Sequence, residues 1–146
     1  MIPALLRRCF GIPATVEKRT QAINALLRSR EPADAYEFMF AVMSHNTGKA
    51  GALLAAQGMF AVVGTYGMEH GWTKALVLPS MLLLMLGALL AMSILRSTMG
   101  AFSPGNKDPF EVLFDLTMHR VVRLNLAMYV TFVSIVMLIA ATILQA

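Results

Sequence analysis

The residues able to do chemistry are few, and their spacing sets them apart from one another. His45, His70 and His119 are the 3 histidines of the chain, and a buried haem would need two of them on facing helices at one depth. His45 and His119 lie near one interface of the expected membrane segments and His70 near the other, so only the first two could share a level. His45 is the cofactor-binding candidate, set against the plainer reading of an interfacial imidazole bonded to backbone, lipid or water. Cys9 is the 1 cysteine, which leaves no internal disulfide and no thiolate metal cluster to build. The 12 methionines could serve a soft metal, but apart from Met81 and Met85 they do not cluster on a common face, and gap-filling explains them better. Gly48-Lys49 lacks the preceding glycine and following hydroxyl of a phosphate loop. Asp115, His119 and Arg120 form a charged patch that either receives a partner or stays solvated.

The elements that hold these residues are apolar and membrane-length. Hydrophobic residues make up 58% of the chain and charged residues 14%, against roughly 45 to 50% and 25% in ordinary soluble domains. Residues 50–68 carry no charge, and about 19 helical residues just cross a hydrocarbon layer of ~30 Å. Residues 75–95 and 124–144 are likewise uncharged. The polar link Glu69-His70-Gly71-Trp72-Thr73-Lys74 is too short for a domain, so the first two spans must lie antiparallel and adjacent. The fold class is therefore an all-α membrane protein with three transmembrane helices. Residues 1–49 form a cytoplasmic or interfacial amphipathic segment and residues 50–146 the transmembrane domain.

Within residues 1–49, Ile2, Leu5, Leu6, Phe10 and Ile12 can dip into headgroups while Arg7 and Arg8 meet anionic lipid. No apolar signal core follows those arginines, so this end is expected to be retained. Val16, Thr20, Ile23 and Leu27 then fall on one face of an amphipathic helix that begins near Pro13. Pro32 starts another helix, with Asp34 and Glu37 at the positive end of its dipole, and this helix can run through residues 44–49 into the first span. Pro79 falls within about the first turn of the second span. Asp108, Pro109 and Glu111 fit the N-cap, first and third positions of a helix leading toward the third span.

Small residues predict where helix backbones approach. Gly51 with Ala55, Ala52 with Ala56, and Gly64 form such rows in the first span, and Gly87 and Ala91 mark the protein-directed side of the second. Leu82, Leu86 and Leu90 form its lipid-directed side. Gln57 and Asn125 are the strong hydrogen-bonding side chains at depth, and interhelical bonding is their expected role. Tyr66 and Trp72 read as aromatic anchors, and Lys49, Arg96 and Arg123 as basic ones beside Arg7 and Arg8. Of the 12 lysines and arginines, only Lys74 lies on the side of the link and the C-terminus. The positive-inside rule then puts the N-terminus in the cytoplasm and the C-terminus outward.

Two resemblances follow from these residues. Ala41 precedes His45 by four positions, which resembles the Ala-x-x-x-His element of bacterial light-harvesting polypeptides and implies a bacteriochlorophyll ligand. Asn46-Thr47-Gly48-Lys49-Ala50-Gly51-Ala52-Leu53-Leu54-Ala55 resembles the Asp-x-Lys-Ala-x-x-Leu-Leu element that opens the first span of the transmembrane effectors of Pycsar-type antiphage systems. The Pro104 turn followed by Phe110 to Leu116 is also similar to the connection after their second span. Here the acidic residue is replaced around Asn46 and Thr47, and no cyclic-nucleotide pocket or phosphate-binding arginine cluster is visible. That resemblance implies a protein that damages the inner membrane when a cyclic nucleotide signals infection.

Ion pathways and proton relays normally carry ionisable groups inside the spans, and these spans have none well inside them. The sequence thus points away from an enzyme, a pump or a selective channel. It favours an accessory, scaffolding or assembly subunit of a larger inner-membrane complex, photosynthetic or respiratory in kind; the alternative is a self-assembling, membrane-perturbing effector. No cofactor is required, a bound lipid or pigment is left open, and the expected partners are the bilayer and a larger membrane complex or further copies of the chain. The basic residues are scattered in ones and twos, which argues against nucleic acid.

Overall fold

The computed structural model describes residues 16–29, 32–96 and 109–144. These form four helices: α1 (Val16–Ser29), α2 (Pro32–Glu69), α3 (Lys74–Arg96) and α4 (Pro109–Ile143). Arg7, Arg8, Cys9, Pro104 and Asp108 lie outside the described residues.

Three of the helices, α2, α3 and α4, are long and apolar enough to cross a membrane. α2 starts at Pro32, where the missing amide costs nothing, and runs unbroken through the polar residues 44–49 for 38 residues. At 1.5 Å per residue it is about 57 Å long, nearly twice what the apolar layer needs. α4 likewise starts at Pro109 and continues for 35 residues without a break before the apolar stretch that begins at Leu124. α1 is the 14-residue helix that the apolar spacing had placed from Pro13.

The chain divides into two compact units, one from residues 1–46 and 99–122, the other from residues 47–98 and 123–146. In the first, α1 contributes Ile23, the start of α2 contributes Ala35 and Met39, and the start of α4 contributes Phe110, Leu113 and Phe114 to one core. Tyr36 meets Phe110 edge-on with ring centroids 5.2 Å apart, an arrangement favoured by the ring quadrupoles. Phe114 is only 2% exposed, so its ring lies wholly within this core.

In the second unit, the buried positions of α3 are Val77, Ser80, Leu84, Gly87, Ala91 and Ile94. Those of α4 are Leu124, Ala127, Thr131, Ser134, Leu138 and Ala141. Both sets advance by alternating steps of three and four, the seven-residue repeat of helices packed at a shallow left-handed angle. The repeat is populated largely by glycine, alanine, serine and threonine, so the helix axes can come close where no hydrophobic effect draws them together.

The link that joins α2 to α3 is a defined turn. Gly71 has φ 83°, and the amide of Trp72 donates to the carbonyl of Gly67 at 2.9 Å, closing the left-handed cap that ends α2. The Trp72 ring then lies directly over Gly67, where a Cβ would collide with it. Trp72 is thus half-buried and packs against the cluster of Val77, Leu84, Leu138 and Ala141. Thr73 supplies the carbonyl that receives the first amides of α3, at 2.9 and 3.2 Å. Pro79 stands at the sixth position of α3, deeper than the first turn, so the carbonyl of Ala75 loses its usual amide donor.

Replacing Gly71 by alanine forces a Cβ into the left-handed region and is expected to cost about 1 kcal/mol. Phe114→Ala is expected to cost about 3 to 5 kcal/mol. Reversible unfolding in detergent micelles followed by circular dichroism checks both, and equal stability of Phe114→Ala and the parent would refute the first unit's core.

Candidate functional site: a polar layer across the three-helix unit

The second unit contains one layer where all three helices contribute to a polar contact. Gln57 of α2 is 3% exposed, and its Nε2 donates to Oγ1 of Thr131 on α4 at 2.6 Å. The Thr131 hydroxyl in turn donates to the carbonyl of Ala127, one turn earlier on its own helix, at 2.8 Å. Gly87 of α3 closes the third side. A Cβ at Gly87 would stand 2.5 Å from Gln57 Nε2 and 3.0 Å from Thr131 Oγ1. No other residue fits there unless the amide moves.

The depth of the layer follows from helix geometry. Gln57 and Thr131 each lie seven residues inside the starts of their apolar stretches at positions 50 and 124, and Gly87 lies eight residues before position 95. Because α3 runs against the other two, all three come out about 10 to 12 Å into the apolar layer, at matching level. A second interhelical bond lies beyond it, from Ser134 Oγ to the carbonyl of Ser80 at 2.7 Å. Both serines are fully buried.

Magnitudes decide what the Gln57 layer is for. An interhelical side-chain bond in a membrane contributes on average ~0.6 kcal/mol, up to about 2. Gln57 Oε1 is buried without a partner, and an orphaned acceptor costs about 1 to 3 kcal/mol. The net contribution to stability is close to zero or unfavourable. What the layer gives instead is register: sliding α2 against α4 by one turn would bury both a glutamine and a threonine against hydrocarbon. The chemistry is positional.

The other residues singled out from the sequence are dispersed. His45, His70 and His119 are all exposed, so no two imidazoles of these three face each other inside the bundle. His70 Nδ1–H donates to the carbonyl of Tyr66 at 2.9 Å, and the imidazole stacks on the Tyr66 ring with centroids 3.8 Å apart. Among the described residues no group of three or more His, Cys, Asp or Glu is placed to hold a metal ion. Met81 is half-buried against Gly64 while Met85 is 64% exposed, so the two do not converge. Asn125 is half-buried, and Gln57 bonds across to Thr131. Thr131 was missed because threonine in a membrane helix usually bonds its own backbone, which it also does here.

Of the small-residue rows, Gly64, Gly87 and Ala91 are buried within the chain. Ala56 is half-buried, and Gly51, Ala52 and Ala55 are exposed. Leu82 and Leu86 are exposed at 67% and 48%, and Leu90 is half-buried. Tyr66, Lys49, Arg96 and Arg123 are exposed. In the charged patch of the first unit His119 is exposed and Asp115 half-buried, but Arg120 is 6% exposed, because its position falls on the buried seam of α4. Comparison with protein families, with curated proteins and with solved structures finds no match to this chain.

Gly87→Ala is expected to lower stability by about 1 to 2 kcal/mol in the parent but by much less in a Gln57→Ala background, leaving a coupling of about 1 kcal/mol. A double-mutant cycle of unfolding free energies in micelles measures it. Strict additivity would mean that Gly87 does not make room for the amide.

Proposed function

We propose that this chain is a non-catalytic, multi-pass protein of a bacterial-type inner membrane, an accessory or assembly subunit that docks against a larger complex through helix packing. The observation that supports it most is the exposed row on α2. Gly48, Gly51 and Gly58 have nothing within 4 Å of where a Cβ would stand, and Ala52 and Ala55 between them are exposed as well. Glycine inside a helix costs about 1 kcal/mol relative to alanine and contributes nothing against lipid. A row of three is explained when another backbone approaches closely enough to use the missing side chains. The buried polar groups of the spans support the same reading, since they bond helix to helix or to their own backbone. A photosynthetic or respiratory complex is the kind of partner this role fits.

A second reading has its own support. The exposed row lies within the segment that resembles the Pycsar-type transmembrane effectors, and a second copy of this chain could occupy it as well as a foreign helix. The protein would then be a self-assembling effector that perturbs the bilayer. In either reading the charge distribution supports a cytoplasmic N-terminus and an outward C-terminus, with only Lys74 among the 12 basic residues on the outer side.

Purification in mild detergent separates the readings. A stoichiometric foreign polypeptide is expected to copurify, and Gly51→Leu combined with Gly58→Leu is expected to remove it while leaving the unfolding midpoint of the isolated chain within about 2 °C. Migration as a lone chain would overturn the docking role; homo-oligomers with loss of membrane potential on expression would establish the effector. For orientation, alkaline phosphatase fused after Ala146 is expected to be active, and an inactive fusion beside an active cytoplasmic reporter would reverse the topology.

A further inference from the structure

The ends of α2 and α3 at their link carry charges that the helices themselves do not favour. Glu69 is the last residue of α2, at the negative end of its dipole, and Lys74 is the first of α3, at the positive end. Both are exposed, and among the described residues neither side chain finds a partner within the chain, although only four residues separate them. An opposite charge from outside would relieve each of them. The faces that run from these charges are complementary in size. On α3, Leu78, Leu82, Met85, Leu89 and Met92 advance by alternating steps of four and three, and each is at least half exposed. On α2, Gly48, Gly51, Ala55, Gly58 and Val62 advance by the same steps, and all are exposed. Both rows thus have the seven-residue repeat of shallow left-handed packing, one largely of knobs and the other largely of holes.

Depth brings the two rows into step. Because α2 and α3 run in opposite directions through the layer that joins Gln57 to Gly87, each residue forward on α2 matches one backward on α3. Leu89 is then level with Ala55, Met92 with Ala52 and Leu82 with Val62, while Met85 falls within one residue of Gly58 and Lys74 within one of Glu69. Copies of one chain hold the same depth in a bilayer, because the same uncharged stretches must span it. The α3 of a neighbouring copy can therefore present its large residues where α2 has small ones, and its Lys74 where α2 ends in Glu69. We propose that a second copy of this chain occupies the α2 row with its α3, antiparallel, with large residues over small and Glu69 of one copy paired with Lys74 of the other. Each charge then lies at the end of the other copy's helix that favours it. Lys49 and Arg96 meet at the opposite end with like charge, where their long stems can turn to the lipid phosphates. This contact rests on the reading of the α2 row as a docking surface and identifies what fills it.

Disulfide cross-linking between two differently tagged copies tests this. In a Cys9→Ser background one copy carries Ala55→Cys and the other Leu89→Cys, and the two are coexpressed in native membranes and mildly oxidised. A disulfide joining the two tags is expected, about tenfold more abundant than when Tyr129→Cys, at the same level on α4, replaces Leu89→Cys. Glu69→Lys in the first copy is expected to lower that product about two- to fivefold, and Lys74→Glu in the second to restore it. A product no more abundant than the Tyr129→Cys control would overturn the contact. A product unchanged by Glu69→Lys, or one that Lys74→Glu does not rescue, would overturn the pairing of charges. Where the contact fails, a foreign polypeptide that copurifies and is released by Gly51→Leu with Gly58→Leu would leave the row a docking surface filled by another protein; with no such polypeptide the docking reading falls as well.

Discussion

Helices in hydrocarbon gain little from burying apolar side chains, so what holds this chain together must be close backbone approach and satisfied polar groups. The seven-residue repeat of small residues along α3 and α4 meets that constraint. Glycine, alanine and serine at Ser80, Gly87, Ala91, Ala127, Ser134 and Ala141 remove the side-chain bulk that would otherwise separate the axes. Larger residues occupy the same repeat at Leu84 and Leu138, which share one buried cluster. The Gln57 to Thr131 bond of 2.6 Å lies against Gly87, where a Cβ would stand 2.5 Å from Gln57 Nε2.

The buried polar layer of the second unit is a positional device. Gln57 lies about 10 Å within the apolar layer, where its amide finds a hydroxyl and the remaining acceptor is left over. The layer fixes how the helices slide.

Much of the architecture was legible in the sequence because its signals are long and uniform. Uncharged stretches of about 20 residues, Pro32 and Pro109 as helix starts, and a six-residue polar link fix three spans and their order. Side-chain placement was less legible. Small residues occupy nearly every face of residues 50–64, so their spacing could not distinguish the buried stripe at Ala50, Gln57 and Gly64 from the exposed one at Gly51, Ala52 and Ala55. Choosing between them requires knowing where α3 and α4 sit, which is non-local information. Thr131 was hidden by its ordinariness, and the contact of the Trp72 ring with Gly67 by its dependence on the turn between them. Arg120 looked solvated beside Asp115 and His119, and only the repeat along α4 reveals it as buried.

The packing register of α2 against α4 underlies the polar layer and the exposed row alike, and paired cysteines report it. Ala50 and Leu124 belong to one buried cluster, while Ala55 and Tyr129 are both exposed. In a Cys9→Ser background in native membranes, Ala50→Cys with Leu124→Cys is expected to form an intramolecular disulfide rapidly under mild oxidation, and Ala55→Cys with Tyr129→Cys to remain as free thiols within each chain. Rapid intramolecular closure of the second pair with none of the first would contradict the packing described.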